Sequence, residues 1–264
     1  MLSGLIIYSR IDKEKNSWFI NRCIENLSKK GISLIYKDDS EVLECLKDYQ
    51  IDFVIYRSRD YQLLAKLEEK EIRCFNNSLT NHIANDKFLT YQFLTKQGIA
   101  CITSYDTIDD LNDYPVVMKS VSGHGGSEVF LLNKKEETES YKEPHKKYIY
   151  QPFCPNDGDL RLYVLNKKVV GAVLRYNANN FRSNFSLGGE AMSYHPNEQL
   201  TKIAEQIAKL LNADYIGVDF LRVNNKWLVN EIEDPVGARM LFKASGIDIT
   251  TLLTDYISQT LINK

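Results

Sequence analysis

The chain has 264 residues, 44% apolar and 26% charged, which is ordinary globular usage and excludes both a disordered chain and a fibrous repeat. Lys and Arg total 33 against 35 Asp and Glu, a net charge of -2, so the basic excess of a phosphate-backbone binder is missing and no nucleic-acid partner is expected. Five scattered cysteines, odd in number and without a C-x-x-C pair, point to reduced thiols in a cytoplasmic protein, and with no signal peptide or bilayer-length apolar run no membrane partner is expected either.

Up to about residue 80, short β-rich runs (Leu5–Tyr8, Ser33–Tyr36, Phe53–Tyr56, Ile72–Phe75) alternate with amphipathic stretches of helical length. This predicts β-α-β-α-β-α-β, a small parallel sheet with helices on it. Trp18, Phe19, Cys23 and Leu27 recur at helical spacing before Gly31, and Ser40 and Asp60 stand where N-caps belong. From about residue 81 the pattern changes to a helix over 85–97 closed by Gly98, then strands over 116–121 and 128–132. The polar segment 134–147 reads as a solvated helix or loop. Strands follow over 148–153, 160–165 and 169–175, the last two forming a hairpin that turns at Asn166-Lys167-Lys168. Ile203, Ala204, Ile207, Ala208 and Leu211 mark an amphipathic helix, and a final hairpin, Gly217–Val223 and Lys226–Glu233, turns at Asn224-Asn225. A mixed or antiparallel sheet is expected here. The fold class is therefore α/β joined to α+β, with units over 1–80, 81–147 and 148–264.

Three groups of residues carry chemistry. Ser122-Gly123-His124-Gly125-Gly126-Ser127 links two strands, so it is neither a Walker loop nor a Rossmann fingerprint. Its amides can close over phosphates while Lys119 neutralises charge, although a flexible turn beside a surface lysine has the same local pattern. In the last hairpin Asp219, Glu231 and Glu233 fall on one alternating face. An unpaired buried carboxylate costs several kcal/mol, and Mg²⁺ or Mn²⁺ is the natural compensation; a solvent-facing acidic edge is the alternative. Arg161 and Arg175 on the middle hairpin and Arg182 near a Gly-Gly pair present planar forks suited to carboxylate and phosphate oxygens.

In chain order, Asn85-Asp86-Lys87, Pro115 to Lys119 with the glycine loop, Gln151-Pro152-Phe153, Gly158-Asp159-Leu160-Arg161, Phe181-Arg182-Ser183-Asn184 with Gly188-Gly189, Gly217-Val218-Asp219-Phe220 and Asn230-Glu231-Ile232-Glu233 resemble the ATP-grasp superfamily. Within it they resemble the RimK-type carboxylate–amine ligases, over nearly the whole chain. The resemblance implies an ATP-grasp fold behind a short N-terminal parallel α/β domain. It implies ATP and two Mg²⁺ ions, with Lys87 and Lys119 on the phosphates under a lid that includes Gly123, Gly125 and Gly126. Gln151, Pro152 and Phe153 would form the hinge that reads the adenine edge, and Asp159 would lie near the ribose or the substrate. Arg182, Ser183 and Asn184 would hold the triphosphate and its metal, Asp219, Glu231 and Glu233 would ligate the ions, and Arg175 would face the substrate carboxylate. Two positions depart from the family pattern, Pro152 where Glu is frequent and Glu233 where Asn is frequent. Neither removes a needed group, since a Pro carbonyl still accepts and Glu is a full metal ligand.

The implied reaction activates a carboxylate as an acyl phosphate, with Lys119, Arg175 and Arg182 as the catalytic cations, and an amine then displaces phosphate. Its partners are a carboxylate donor and an amine acceptor, whether amino acid, peptide or protein tail; a homo-oligomer is also compatible with the chain. The complete set of acids and lysines favours catalysis over an idle ATP-binding sensor or scaffold. No residue stands out as general base for the amine.

Overall fold

The computed structural model describes residues 2–126, 128–155, 158–176 and 190–263. Strand β1 (Ser3–Tyr8) leads into helices α1 (Arg10–Lys15) and α2 (Ser17–Ser28). Then β2 (Ser33–Asp38), α3 (Val42–Asp48), β3 (Phe53–Tyr56), α4 (Tyr61–Glu68) and β4 (Arg73–Phe75) complete a parallel sheet of order β2-β1-β3-β4. Leu5 and Ile7 of β1 pack with Val54 and Leu64 on one face, and Ile6 and Tyr8 with Phe19, Cys23 and Leu27 on the other. One strand feeding two cores is what a sheet between two helical layers requires, and it explains the continuous apolar run. Asp60 caps α4 as its position predicts, accepting from the amides of Gln62 and Leu63. Ser40 does not cap. Asp38 takes that place and accepts from both the amide and the hydroxyl of Ser40, because an ionised carboxylate is the stronger acceptor.

Helices α5 (Ser78–Ala84) and α6 (Lys87–Lys96) carry the chain to a three-stranded sheet of order β6-β5-β7, made by β5 (Val116–Ser120), β6 (Val129–Leu132) and β7 (Tyr148–Pro152). A five-stranded sheet of order β10-β9-β8-β11-β12 follows, from β8 (Asp159–Leu165), β9 (Lys168–Tyr176), β10 (Glu190–Ser193), β11 (Tyr215–Val223) and β12 (Lys226–Glu233). Both of these sheets are antiparallel. Their hairpins turn where the Asn-rich dipeptides predict: Asn166 and Lys167 have φ of 48° and 61°, and Asn224 and Asn225 have 48° and 63°, the paired left-handed conformations of a two-residue turn. The charged segment holds only a short 3-10 turn, Lys135–Ser140.

Helix α7 (Glu198–Leu210) buries Leu200, Ala204, Ile207 and Ala208 against one face of the five-stranded sheet, with Leu162, Val164 and Ile216. The other face packs onto the N-terminal unit. Tyr163, Val173 and Tyr215 share a core with Ile6, Phe53 and Phe75, closed by α8 (Arg239–Ser245) and α9 (Ile249–Ile262) through Leu241, Leu253 and Ile257. The change of topology near residue 80 is therefore not a break in the core. No helix among the described residues is long and apolar enough to cross a membrane.

Asn76 is the polar rivet of this seam. Its Oδ1 accepts from the amides of Asp214 (2.5 Å) and Tyr215 (2.8 Å), and its Nδ2 donates to the Tyr215 carbonyl (2.6 Å) and to Asp234 Oδ1 (2.9 Å). Every hydrogen-bonding position of this buried amide is used. Asn76→Ala strands several buried polar groups at once and should lower the unfolding free energy by about 3 kcal/mol, read as a fall in the urea midpoint with unchanged slope.

Candidate active site

A cavity of about 610 Å³ opens between the sheets, lined by the loop after β5, the hinge Gln151–Cys154, the β11–β12 hairpin and the carboxyl ends of β1 and β3. Gly125 and Gly126 meet a local need of the loop, with φ of 66° and 77°, and a Cβ on Gly123 would crowd the Cβ atoms of Ser120 and Glu128 at 3.1 Å. Lys87 opens α6 directly after its cap Asp86, and its Nζ donates to the Gly123 carbonyl. Lys119 is buried in β5 and donates to Asn230 Oδ1 at 3.0 Å. The two ammonium groups lie 4.0 and 3.9 Å from Glu231 Oε1. Burial lowers the Lys119 pKa, a shift that Glu231 opposes, and it pushes Glu231 up, but Lys87 and Lys119 outweigh it and hold that carboxyl below its ordinary value.

The hairpin register sets Asp219 opposite Glu231 and Gly217 opposite Glu233. Oxygens of Asp219, Glu231 and Glu233 lie within 4.8 Å of one another. Arg161 lies flat against this set. Its Nε and Nη2 donate to the two Asp219 oxygens at 2.7 Å each, and Nη2 also reaches Glu233 Oε1 at 2.7 Å. Arg175 Nη2 donates to Asp219 Oδ2 at 2.6 Å, while its Nε holds Asp159. Burial works against the Asp219 charge, but the two guanidinium groups win and bring its pKa down to about 2; burial dominates at Asp159 and pushes it up to about 6 in spite of Arg175.

These acids fit a hard cation. Among the described residues Asp219 Oδ2 accepts two hydrogen bonds and Oδ1 accepts one, which leaves Oδ1 a lone pair, and Glu231 and Glu233 are only half-buried. Three carboxylate oxygens converging from one hairpin are the donor chemistry that Mg²⁺ selects.

The structure thus gathers Lys87, Lys119, Gly123, Gly125, Gly126, Gln151, Pro152, Phe153, Asp159, Arg175, Asp219, Glu231 and Glu233 around one cavity. Arg182, Ser183 and Asn184, with the adjoining Gly188-Gly189, lie outside the described residues. Two placements carry further detail. Arg175 lines the cavity at 3% exposure and pairs there with Asp159 and Asp219. The Gln151 side chain donates to Ser104 Oγ at 2.8 Å, and the Phe153 amide donates to the Pro115 carbonyl, which fixes the hinge against its surroundings. Asn230 was not expected at the site, since strict alternation places it on the face opposite Glu231. The register shifts after Asp219, whose partner is Glu231 while Phe220 pairs with Val229, and this bulge at Asn230 brings it to Lys119. Arg161 carried a detectable signal, an arginine across from an acid of a neighbouring strand.

The family model of the RimK-like ATP-grasp domain matches residues 84–257. An uncharacterized protein of Mycoplasma genitalium is 29% identical over 99% of this chain and 93% of its own length. A protein of Pasteurella multocida named "Probable alpha-L-glutamate ligase" is 31% identical over 87% of this chain and 80% of its own length. Among solved structures, the D-alanine--D-alanine ligase of Bacillus anthracis in complex with ATP aligns with a TM-score of 0.78 at 20% identity, covering 100% of this chain and 98% of that one.

Removing one guanidinium should expose the cost of the buried charge. Arg161→Met leaves Asp219 with Arg175 alone and should destabilise the protein by about 3 to 5 kcal/mol at pH 7. The sign with pH follows from Asp219, whose lowered pKa gives stability that is present above about pH 4 and lost as pH falls toward about 2. The gap between wild type and variant should therefore narrow in acid, as measured by urea unfolding along a pH series.

Proposed function

The chain belongs to the RimK-like ATP-grasp family and is an ATP-dependent carboxylate–amine ligase, and from that premise we propose how its residues divide the work and which substrate it takes. Lys87 and Lys119 receive the ATP phosphates beneath Gly123, Gly125 and Gly126, and Gln151, Pro152 and Phe153 receive the adenine. Arg182, Ser183 and Asn184 add phosphate contacts. Glu231, Glu233 and Asp219 Oδ1 hold Mg²⁺, two ions in this reading, with Mn²⁺ as a substitute. Bound there, the metal neutralises phosphate oxygens during transfer. The observation that carries the reading is the convergence of three acids within 4.8 Å, with two lysines at 3.9 and 4.0 Å from the central one.

In the family's reaction an oxygen of the donor carboxylate bonds to the γ-phosphorus as the bond to ADP breaks, and the amine nitrogen then bonds to the acyl carbon as phosphate leaves. Lys119 stands by the transferred oxygens and steadies their charge. Arg161 and Arg175 keep Asp219 ionised and oriented, which fixes the acids before substrates arrive. A glycine lid closed over the acyl phosphate excludes the water that would hydrolyse it. The units over 1–80, 81–147 and 148–264 would supply the substrate wall, the lid and the metal hairpin. L-Glutamate is the substrate we take first, supported by the names of the Pasteurella and Haemophilus relatives. The five free cysteines support a cytoplasmic setting.

The test is ADP release against Mg²⁺ concentration. Lys119→Met and Glu231→Gln should each lose about 100-fold or more in turnover while remaining folded. Glu233→Asn should retain activity at a raised Mg²⁺ requirement, because one carbonyl oxygen stays within reach. Wild-type behaviour of Glu231→Gln throughout the titration would make the hairpin a solvated acidic edge.

A further inference from the structure

In the N-terminal sheet β1 is flanked by β2 on one side and β3 on the other, so the connections leave β1 and β3 in opposite directions. A crevice forms outside the carboxyl ends of strands at such a point, and ligands of open α/β sheets bind there. Here that crevice is the end of the cavity formed by Tyr8, Asp12, Lys15, Asn16, Arg57 and Arg59.

The cations of this crevice differ in how far they are already spent. Arg57 is committed, with Nε donating to the Tyr8 hydroxyl (3.0 Å), Nη2 to the Val236 carbonyl (2.5 Å) and the guanidinium over the Phe19 ring. Arg59 is half spent. Its Nη1 donates to Asp12 Oδ2 at 2.6 Å, while its Nε is buried without a hydrogen-bond partner among the described residues. Lys15, in the last turn of α1, and Arg239, the first residue of α8, both line the cavity and are exposed. Neither forms an ion pair among the described residues. The acids nearby are used: Asp12 holds Arg59, and Asp234 accepts from Asn76 and Asn81. The crevice therefore has an excess of positive charge and one buried donor short of an acceptor.

L-Glutamate joined through its α-amino or α-carboxyl group keeps a side-chain carboxylate that takes no part in the reaction and that L-glutamine lacks, and in a half-buried crevice that group needs a counter-charge. We propose that Arg59, Lys15 and Arg239 are the specificity residues that receive this spectator carboxylate, so the preference for an acidic over a neutral amino acid is set by the N-terminal crevice. The inference rests on the ligase reading above with L-glutamate as substrate. Asp12 serves it by holding the Arg59 fork in place.

The experiment follows ADP release with L-glutamate or L-glutamine supplied as both carboxylate donor and amine acceptor, and with ATP varied in turn, in wild type and in Lys15→Glu/Arg239→Glu. Both substitutions are at exposed positions, and a glutamate at the start of α8 suits the helix dipole. The KM for L-glutamate should rise about 10- to 100-fold, the preference over L-glutamine should disappear, and the KM for ATP should stay within about twofold. A glutamate KM within about twofold of wild type, or a parallel rise in the KM for ATP, overturns the inference and leaves the ligase reading intact. Wild type that releases no ADP in response to L-glutamate, while MgATP still raises its melting temperature, overturns both the substrate and the inference. If the charge reversal unfolds the chain, Lys15→Gln/Arg239→Gln is judged by the same glutamate and ATP constants.

Discussion

Asp219 is a carboxylate at 3% exposure, and its ionisation is the constraint around which the site is arranged. A lone carboxylate in that position would cost several kcal/mol and would take up a proton instead. Three hydrogen bonds from Arg161 and Arg175 prevent this, and each arginine also reaches a second acid, Glu233 in one case and Asp159 in the other. Lys87 and Lys119 stand to Glu231 as the arginines stand to Asp219, at a looser distance that leaves the ammonium groups open to another anion. The acids Asp159, Asp219, Glu231 and Glu233 thus face an equal number of cations.

The N-terminal unit belongs to this arrangement. Its inner face shares one core with the five-stranded sheet and α9, and polar groups bond across the seam, Asn76 to the β11 backbone and Asp234 and Arg57 to Val236, while the buried hydroxyls of Tyr163 and Tyr215 have no hydrogen-bond partner among the described residues. Asp234 and Val236 directly follow the Glu231–Glu233 stretch of acids. These bonds tie the crevice to the hairpin that carries Asp219, Glu231 and Glu233. Such a tie lets charge in the crevice discriminate substrates, since a counter-charge that could drift would select weakly.

Much of this was legible in the sequence because the governing forces are local. Period-2 alternation places Asp219, Glu231 and Glu233 on one face, Asn166-Lys167-Lys168 and Asn224-Asn225 place two hairpin turns, and the four N-terminal apolar runs indicate the parallel sheet. The glycine loop between two strands was correctly separated from nucleotide loops that open helices, since the partner element decides which amides point at a phosphate.

What only the tertiary structure decided has one physical cause: these features depend on groups far apart in the chain. The bulge that brings Asn230 to Lys119, 111 residues away, breaks the alternation from which the strand was read. The pairing of Arg175 with Asp159 and Asp219 is set by the β8–β9–β11 order. The charge excess in the crevice arises because Lys15 and Arg239, on separate segments, meet acids that already have partners, Asp12 in Arg59 and Asp234 in Asn76 and Asn81. The sequence by itself determined which residue types were available and on which face of each element they stood; whether a charged side chain is spent on a neighbour or left for a ligand was decided by packing, because burial and pairing are properties of the assembled fold.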